Sequence, residues 1–233
     1  MLSRGLYAIT DASLSDRLLQ SVEAALLGGV VMIQYRDKSG DFPKRLAEAT
    51  SLLALCHRYQ RPLLINDDVD LALAIGADGV HLGQSDGSLT LARRRLGPDA
   101  IIGATCHDSL ELACSAVAEG ANYLAFGAFF PSLTKPGARP AHLDTLTAAK
   151  DRFGLPIVAI GGITRNNAMP LLAAGADQLA VISDLFGHPV AEIPAVARQF
   201  SQLFVKIHST DKVSSPTLTD TGNAFNETHH DQP

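Results

Sequence analysis

Gly175-Ala176-Asp177-Gln178-Leu179-Ala180-Val181-Ile182 decides the fold, because its opening is written three times in the chain. Gly76-Ala77-Asp78 and Gly120-Ala121-Asn122 repeat it, and each copy falls between a segment of helical period and a short apolar run. Glycine at such a joint supplies the left-handed conformation that ends a helix, and the turn feeds the next parallel strand. Outward from these joints, strands are expected at Leu6–Thr10, Val30–Ile33, Leu63–Ile65, Asp78–His81, Ile101–Thr105, Asn122–Phe126, Pro156–Ile160 and Gln178–Ile182. Helical spacing fills the gaps. Leu14, Leu18, Val22 and Leu26 mark the first helix, which closes at Gly28-Gly29; Leu46, Ala49, Leu53 and Cys56 mark the second, and Ile193, Val196, Phe200, Leu203 and Phe204 the last. Strand–helix units repeated in this way predict an α/β fold, a (β/α)8 TIM barrel. An open doubly wound sheet fits less well: no G-x-G-x-x-G follows the first strand, and polar clusters follow most runs instead of one switch point.

The chain has 233 residues, 46% of them hydrophobic and 18% charged, which suits one barrel domain with a sizeable core. A net charge of −5 argues against nucleic acid or an anionic membrane as partner. Cys56, Cys106 and Cys114 have neither metal-ligand spacing nor an even count, so reduced thiols are expected. No basic-then-apolar leader precedes Leu6, and no run approaches the roughly 18 residues of a membrane span. A cytoplasmic protein is the expectation. Residues 1–205 read as the barrel, and 206–233, rich in Ser, Thr, Asp, Asn and His, as a polar tail with too little apolar surface to offset its ordering entropy.

In a closed parallel barrel every cluster that follows a strand lies on one rim, where such enzymes place their chemistry. After the second run come Gln34, Tyr35, Arg36, Asp37 and Lys38, with Gln34, Arg36 and Lys38 on one face of an extended segment. Two cations and an amide suit a phosphate or diphosphate; random charges at a fraying strand end are the bland alternative. Asn66-Asp67-Asp68 follows the third run and Asp86 the fourth. Carboxylates from neighbouring loops suit Mg²⁺, which takes few protein ligands. One aspartate of the pair is expected to cap the next helix; we assign Asp68 to the cap and Asp67 to the metal. Ser132-Leu133-Thr134-Lys135 carries two hydroxyls and an ammonium on a loop constrained by Pro and Gly. Gly161-Gly162 after the seventh strand and Ile182-Ser183 after the eighth stand where barrels build a phosphate cup from backbone N–H groups. Thr105-Cys106-His107 ends the fifth strand. His107 is read as a structural residue capping the next helix beside Asp108, and His81 as a satisfied barrel residue.

Together these motifs resemble the thiamine phosphate synthase family, over nearly the whole chain from Gly5-Leu6-Tyr7-Ala8-Ile9-Thr10-Asp11 to about Phe204. The resemblance rests on Gln34 to Lys38, Ile65 to Asp68, Gly79-Val80-His81-Leu82-Gly83-Gln84, Thr134-Lys135 and Ala159 to Ile163. It implies a (β/α)8 barrel that joins an aminopyrimidine methyl diphosphate to a thiazole phosphate and releases diphosphate with Mg²⁺. It places Mg²⁺ on Asp67 and Asp86. The pyrimidine diphosphate falls to Gln34, Tyr35, Arg36, Asp37, Lys38, Asn66, Thr105 and Lys135, and the thiazole phosphate to Ser132, Leu133, Thr134, Gly162, Ile182 and Ser183. Arg36, Lys38, Thr105 and Lys135 would carry catalysis by electrostatics, and a homo-oligomer is a family expectation. Thr105 stands where many relatives have Ser, and Ser132 where Thr is usual; both keep the hydroxyl. Two rivals remain at this stage: a thiazole tautomerase on the same barrel, with His107 as acid/base, and a non-catalytic phosphate-ligand sensor.

Overall fold

In the computed structural model, residues 2–131, 137 and 139–213 are described, 208–213 as helical backbone only. Eight parallel strands close into a barrel in chain order: β1 (Gly5–Ile9), β2 (Met32–Tyr35), β3 (Leu63–Asn66), β4 (Gly79–Leu82), β5 (Ile101–His107), β6 (Tyr123–Gly127), β7 (Ile157–Ile160) and β8 (Gln178–Val181). Pairing of β1 with both β2 and β8 completes the closure, with Ile9 opposite Gln34 and Leu6 opposite Leu179. The helices are α1 (Leu18–Leu27), α2 (Phe42–Arg58), α3 (Val69–Ile75), α4 (Leu89–Leu96), α5 (Leu110–Ala118), α6 (Leu143–Arg152), α7 (Met169–Ala173), α8 (Ser183–Phe186) and α9 (Ile193–Val213). A 3-10 segment, Ala12–Arg17, precedes α1. None of the described helices is long and apolar enough to cross a membrane. The expected barrel is therefore present.

Strand alternation sorts the buried side chains into two cores. Tyr7, Ile9, Met32, Leu64, Tyr123, Ala125, Val158 and Ala180 fill the barrel. Leu6, Ile33, Tyr35, Ile65, Val80, Ile102, Leu124 and Leu179 face the helices. On α2 the expected Ala49 and Cys56 are fully buried and Leu52 joins them, while the expected Leu46 and Leu53 are only partly buried.

The repeated joint does more than turn the chain. Gly76, Gly120 and Gly175 all have positive φ, as expected. The third residue of each copy then accepts, through its side chain, a backbone N–H from the first two residues of the strand before it. Asp78 takes Leu63 N (2.8 Å), Asn122 takes Ile102 N (2.8 Å) and Asp177 takes Ile157 N (2.9 Å). A basic side chain from the helix preceding that strand closes each joint: His57, Arg93 and Lys150. Asp78 and Asn122, expected inside strands, therefore sit just before them. Their backbone still pairs, Ile101 N donating to the Asp78 carbonyl (2.8 Å) and Asn122 N to the Ile102 carbonyl (2.7 Å), and their side chains add one more bond at the start of the preceding strand.

Gly28 has an ordinary helical φ of −83°, and the left-handed residue at this end of α1 is Gly29. Gly28 is small for a packing reason, since a methyl there would overlap Ala197 and the Pro194 carbonyl of α9. At the C-terminus α9 continues to Val213, eight residues past the expected start of the polar tail. Once a helix is nucleated, each added residue gains a hydrogen bond at little cost, so polar residues extend it readily. Residues 214–233 lie outside the described residues.

Candidate active site

The described clusters after β2, β3 and β4 line one cavity at the C-terminal mouth of the barrel. Asn66 ends β3 facing inward, and Asp67 follows with φ +61°. That left-handed conformation is uncommon for a residue with a side chain, though aspartate tolerates it better than most. It is held by the Asp67 N–H donating to the His81 carbonyl at 2.9 Å. The Asp67 carboxylate accepts from Lys38 Nζ (2.5 Å) and Asn66 Nδ2 (2.6 Å). Asp68 caps α3, accepting from Leu71 N (2.8 Å), and pairs with Arg45 (2.9 Å). The structure thus gives the two aspartates different environments, one at the mouth and one at the helix.

Asp86 reaches the same spot from the loop after β4. Gly83 N donates to its Oδ2 at 2.9 Å, and a side chain at Gly83 would press on that carboxylate. The carboxyl groups of Asp67 and Asp86 are near enough to share a hydrogen bond. Burial works to raise the pKa of Asp67, but Lys38, Asp86 and Asn66 together hold it below the usual carboxylate range. Burial and the Asp67 charge push Asp86 the other way. Two adjoining carboxyls that resist joint ionisation, both hard oxygen donors, form a donor set that fits Mg²⁺. No group of three His, Cys, Asp or Glu side chains gathers anywhere among the described residues, so a metal here would depend on water and substrate oxygens for its other ligands. A cavity of about 460 Å³ opens beside this pair, lined by Lys38, Arg45, Asn66, Asp67 and Asp86 among others.

Along β2, Gln34 and Arg36 follow the inward parity. Gln34 is buried in the barrel, and the Arg36 N–H is fixed by Thr10 Oγ1 at 3.0 Å. Among the described residues Arg36 has no salt-bridge partner. Tyr35 and Asp37, expected among the diphosphate contacts, are turned away by the same alternation. Tyr35 points into the helix layer and donates to Glu48 at 2.6 Å. Asp37 accepts from Lys44 Nζ (2.7 Å) and Ser39 N (2.6 Å), bracing the loop into α2. Burial opposes its ionisation, yet Lys44 and Ser39 prevail and lower its pKa from 3.8 to about 2. A depressed carboxylate stabilises the fold fully above the unfolded value and loses that contribution as pH falls through the folded one. Asp37→Asn should therefore flatten the acid limb of stability between about pH 4 and pH 2, read by thermal melts across that range; a limb as steep as wild type would remove Asp37 from this role.

Thr105 faces the interior, where His81 Nε2 lies 2.9 Å from its Oγ1. A bulge between Thr105 and His107 breaks the register of β5. His107 is exposed there with φ +51°, and it is Ser109 that caps α5, not His107 or Asp108. Asp108 instead accepts from His142 at 2.6 Å. Cys106 points out of the barrel, and burial pushes its thiol up to about 12, far from a nucleophile.

Gly161 (φ +102°) and Gly162 (φ +59°) follow β7, and methyl groups there would overlap Ala128 and the carbonyls of Phe130 and Pro131. Glycine is thus required where residues 128–131 cross. Ile182 precedes α8, and Ser183 opens it. Asp184 accepts from Arg165 N (3.0 Å) and Nε (3.1 Å), tying the loop after β7 to α8. Ser132, Leu133, Thr134 and Lys135 lie outside the described residues. Sequence reasoning missed Tyr7 and Tyr123, whose phenols meet at 2.9 Å inside the barrel. Strand parity was the available signal, but it gives a direction and no partner.

A parallel barrel with paired carboxyls, an amide and cations at its C-terminal mouth defines a class: (β/α)8 enzymes that handle phosphorylated small molecules. Comparison narrows it. The family described as "Thiamine monophosphate synthase" matches residues 6–185. A thiamine-phosphate synthase of Marinobacter nauticus is 57% identical over 206 residues, covering 88% of this chain and 92% of that protein. The structure of a thiamine phosphate pyrophosphorylase from Pyrococcus furiosus superposes with a TM-score of 0.79 at 35% identity, covering 87% of this chain and 96% of that one. A native KDPGal structure, 19% identical with a TM-score of 0.69, shares the fold alone and covers 88% and 96%. The chain belongs to the thiamine monophosphate synthase family. The family, the barrel and the transferase function in thiamine biosynthesis expected from the sequence are borne out.

Proposed function

We propose that this chain condenses 4-amino-2-methyl-5-(diphosphomethyl)pyrimidine with 4-methyl-5-(2-phosphoethyl)thiazole, releasing diphosphate, with its own mouth residues in the following roles. The Asp67 and Asp86 carboxyls, lining one cavity with Lys38 and Asn66, carry the reading, because a proton transfer on a monophosphate has little use for a carboxyl pair suited to a divalent ion. Mg²⁺ held there supplies Lewis-acid charge to diphosphate oxygens. Lys38 and Asn66, both bonded to Asp67, present donors to the same anion, and Arg36 adds a planar fork beside them. Lys135 completes the cations. Tyr35 and Asp37 serve as supports of this wall, as their placement favours.

The C–O bond between the pyrimidine methylene and the diphosphate breaks, and its electron pair leaves with the diphosphate. The aminopyrimidine ring carries the resulting positive charge, so a dissociative path needs no protein nucleophile. The thiazole nitrogen then gives its lone pair to the same carbon. Ser132, Leu133, Thr134, Gly162, Ile182 and Ser183 hold the thiazole phosphate in reach. Catalysis lies in charge and positioning. A cytoplasmic homo-oligomer is part of this reading, on the family resemblance.

The test is diphosphate release with both substrates and Mg²⁺. Stoichiometric release with a joined product supports the proposal. Isomerisation of a thiazole carboxylate phosphate without release would favour a tautomerase, and tight binding without turnover a sensor.

A further inference from the structure

A chain of hydrogen bonds runs across the barrel interior and joins two mouth residues on opposite walls. Gln34 Nε2 donates to Tyr7 Oη (2.5 Å), Tyr7 Oη meets Tyr123 Oη (2.9 Å), Tyr123 Oη meets His81 Nδ1 (2.8 Å), and His81 Nε2 meets Thr105 Oγ1 (2.9 Å). Five strands contribute one residue each. Gln34, Tyr7, Tyr123 and His81 are all buried, at 2%, 1%, 0% and 8% exposure. The Tyr123 ring is stacked on His81 and edge-on to Tyr7. Gly103 makes room for it, since a methyl there would lie inside the ring.

Such a chain has a polarity. Each interior member has one proton to give and one lone pair to offer, provided His81 is neutral. Burial holds both phenols far above their usual range, so each keeps its proton. With Gln34 Nε2 on Tyr7, the Tyr7 proton goes to Tyr123 and that of Tyr123 to His81 Nδ1. His81 is then the Nε2–H tautomer and donates to Thr105. The two ends follow: Gln34 Oε1 is left as an acceptor, and the Thr105 hydroxyl proton is left as a donor. Reversing one link leaves a buried donor or acceptor unmade, so the members switch together or not at all.

We infer that Tyr123, with Tyr7, is a positioning residue that couples the direction of the Gln34 amide at one wall to that of the Thr105 hydroxyl at the other, and so lets the site favour an amino group over a carbonyl on the ligand. The inference rests on the proposed reading that Gln34 meets the aminopyrimidine. Neither tyrosine is a contact residue in that reading; both act through Gln34 and Thr105.

The test compares kcat/KM for the aminopyrimidine diphosphate and for its analogue with a ring N–H and carbonyl in place of the exocyclic amine, in wild type, Tyr123→Phe, Tyr7→Phe and Gln34→Ala. Cutting either tyrosine frees the amide to turn. In both Phe variants the amino-over-carbonyl preference should narrow on the order of tenfold or more, the equivalent of one lost oriented hydrogen bond, while KM for the thiazole phosphate stays within about twofold. The ¹⁵N ring signals of His81, assigned with a His81→Asn variant, should show the Nε2–H form in wild type and lose it in Tyr123→Phe. A general loss of packing would lower activity with both analogues equally and leave the preference untouched. If Gln34→Ala abolishes the preference but neither Phe variant changes it, the positioning role is overturned while the site reading stands. If Gln34→Ala also keeps the preference, the reading of Gln34 fails, and this inference with it.

Discussion

Asp67→Asn should lose turnover on the order of a thousandfold, about 4 kcal/mol of transition-state stabilisation, while melting close to wild type. The substitution keeps the shape and, as asparagine tolerates the left-handed region, the backbone at φ +61°. It removes one of two charges that would hold the metal, and with it the ion pair to Lys38. Asp68→Ala is the companion variant and should behave in the opposite way. Asp68 caps α3 and pairs with Arg45, so its loss costs stability, about 1 kcal/mol for the cap alone, with turnover largely kept. Melting curves and steady-state rates on the two variants separate the roles. An Asp67→Asn enzyme with near-wild-type rate in Mg²⁺ would remove Asp67 from the site.

Gly103→Ala should produce the largest loss of stability of the changes considered. Gly103 does not have a positive φ, so the cost is steric alone. Its methyl group would overlap the Tyr123 ring, which stands fully buried between Tyr7 and His81. Overpacking of a rigid interior costs about 3 kcal/mol, which lowers Tm by about 6–12 °C in a domain of this size. Adding Tyr123→Leu should recover part of the loss, because contacting residues are not additive. Thermal melts of both variants check this. A neutral Gly103→Ala would mean that the ring has room to move and that the interior is looser than described.

Gly-Ala-Asp/Asn joints and apolar runs were enough to read the barrel, because each joint repeats one local requirement, a left-handed turn before a strand. The inward set of Gln34 and Asn66 and the capping of α3 by Asp68 were legible for the same reason: strand parity and helix capping are local rules. The directions of Tyr35 and Asp37 were not read because the motif was taken whole, although the parity that brings Gln34 and Arg36 inward must turn their neighbours' side chains outward. Contacts between distant strands were not legible. Tyr7 and Tyr123 are 116 positions apart, and Asp108 and His142 are 34 apart. Parity says that two side chains enter the barrel, but only closure and register say which ones meet. Gly83 and Gly162 belong with these, since their reason is the carboxylate of Asp86 in one case and the crossing of residues 128–131 in the other.

In the proposed reaction Asp67 and Asp86 together would hold the divalent ion that receives the leaving diphosphate. Anomalous diffraction from crystals soaked with Mn²⁺ and diphosphate tests it most directly. One peak is expected between the two carboxylates, with a diphosphate oxygen in its coordination sphere and Lys38 released from Asp67 toward the anion. A peak bound elsewhere, or diphosphate seated at the mouth with no ion between Asp67 and Asp86, would contradict it.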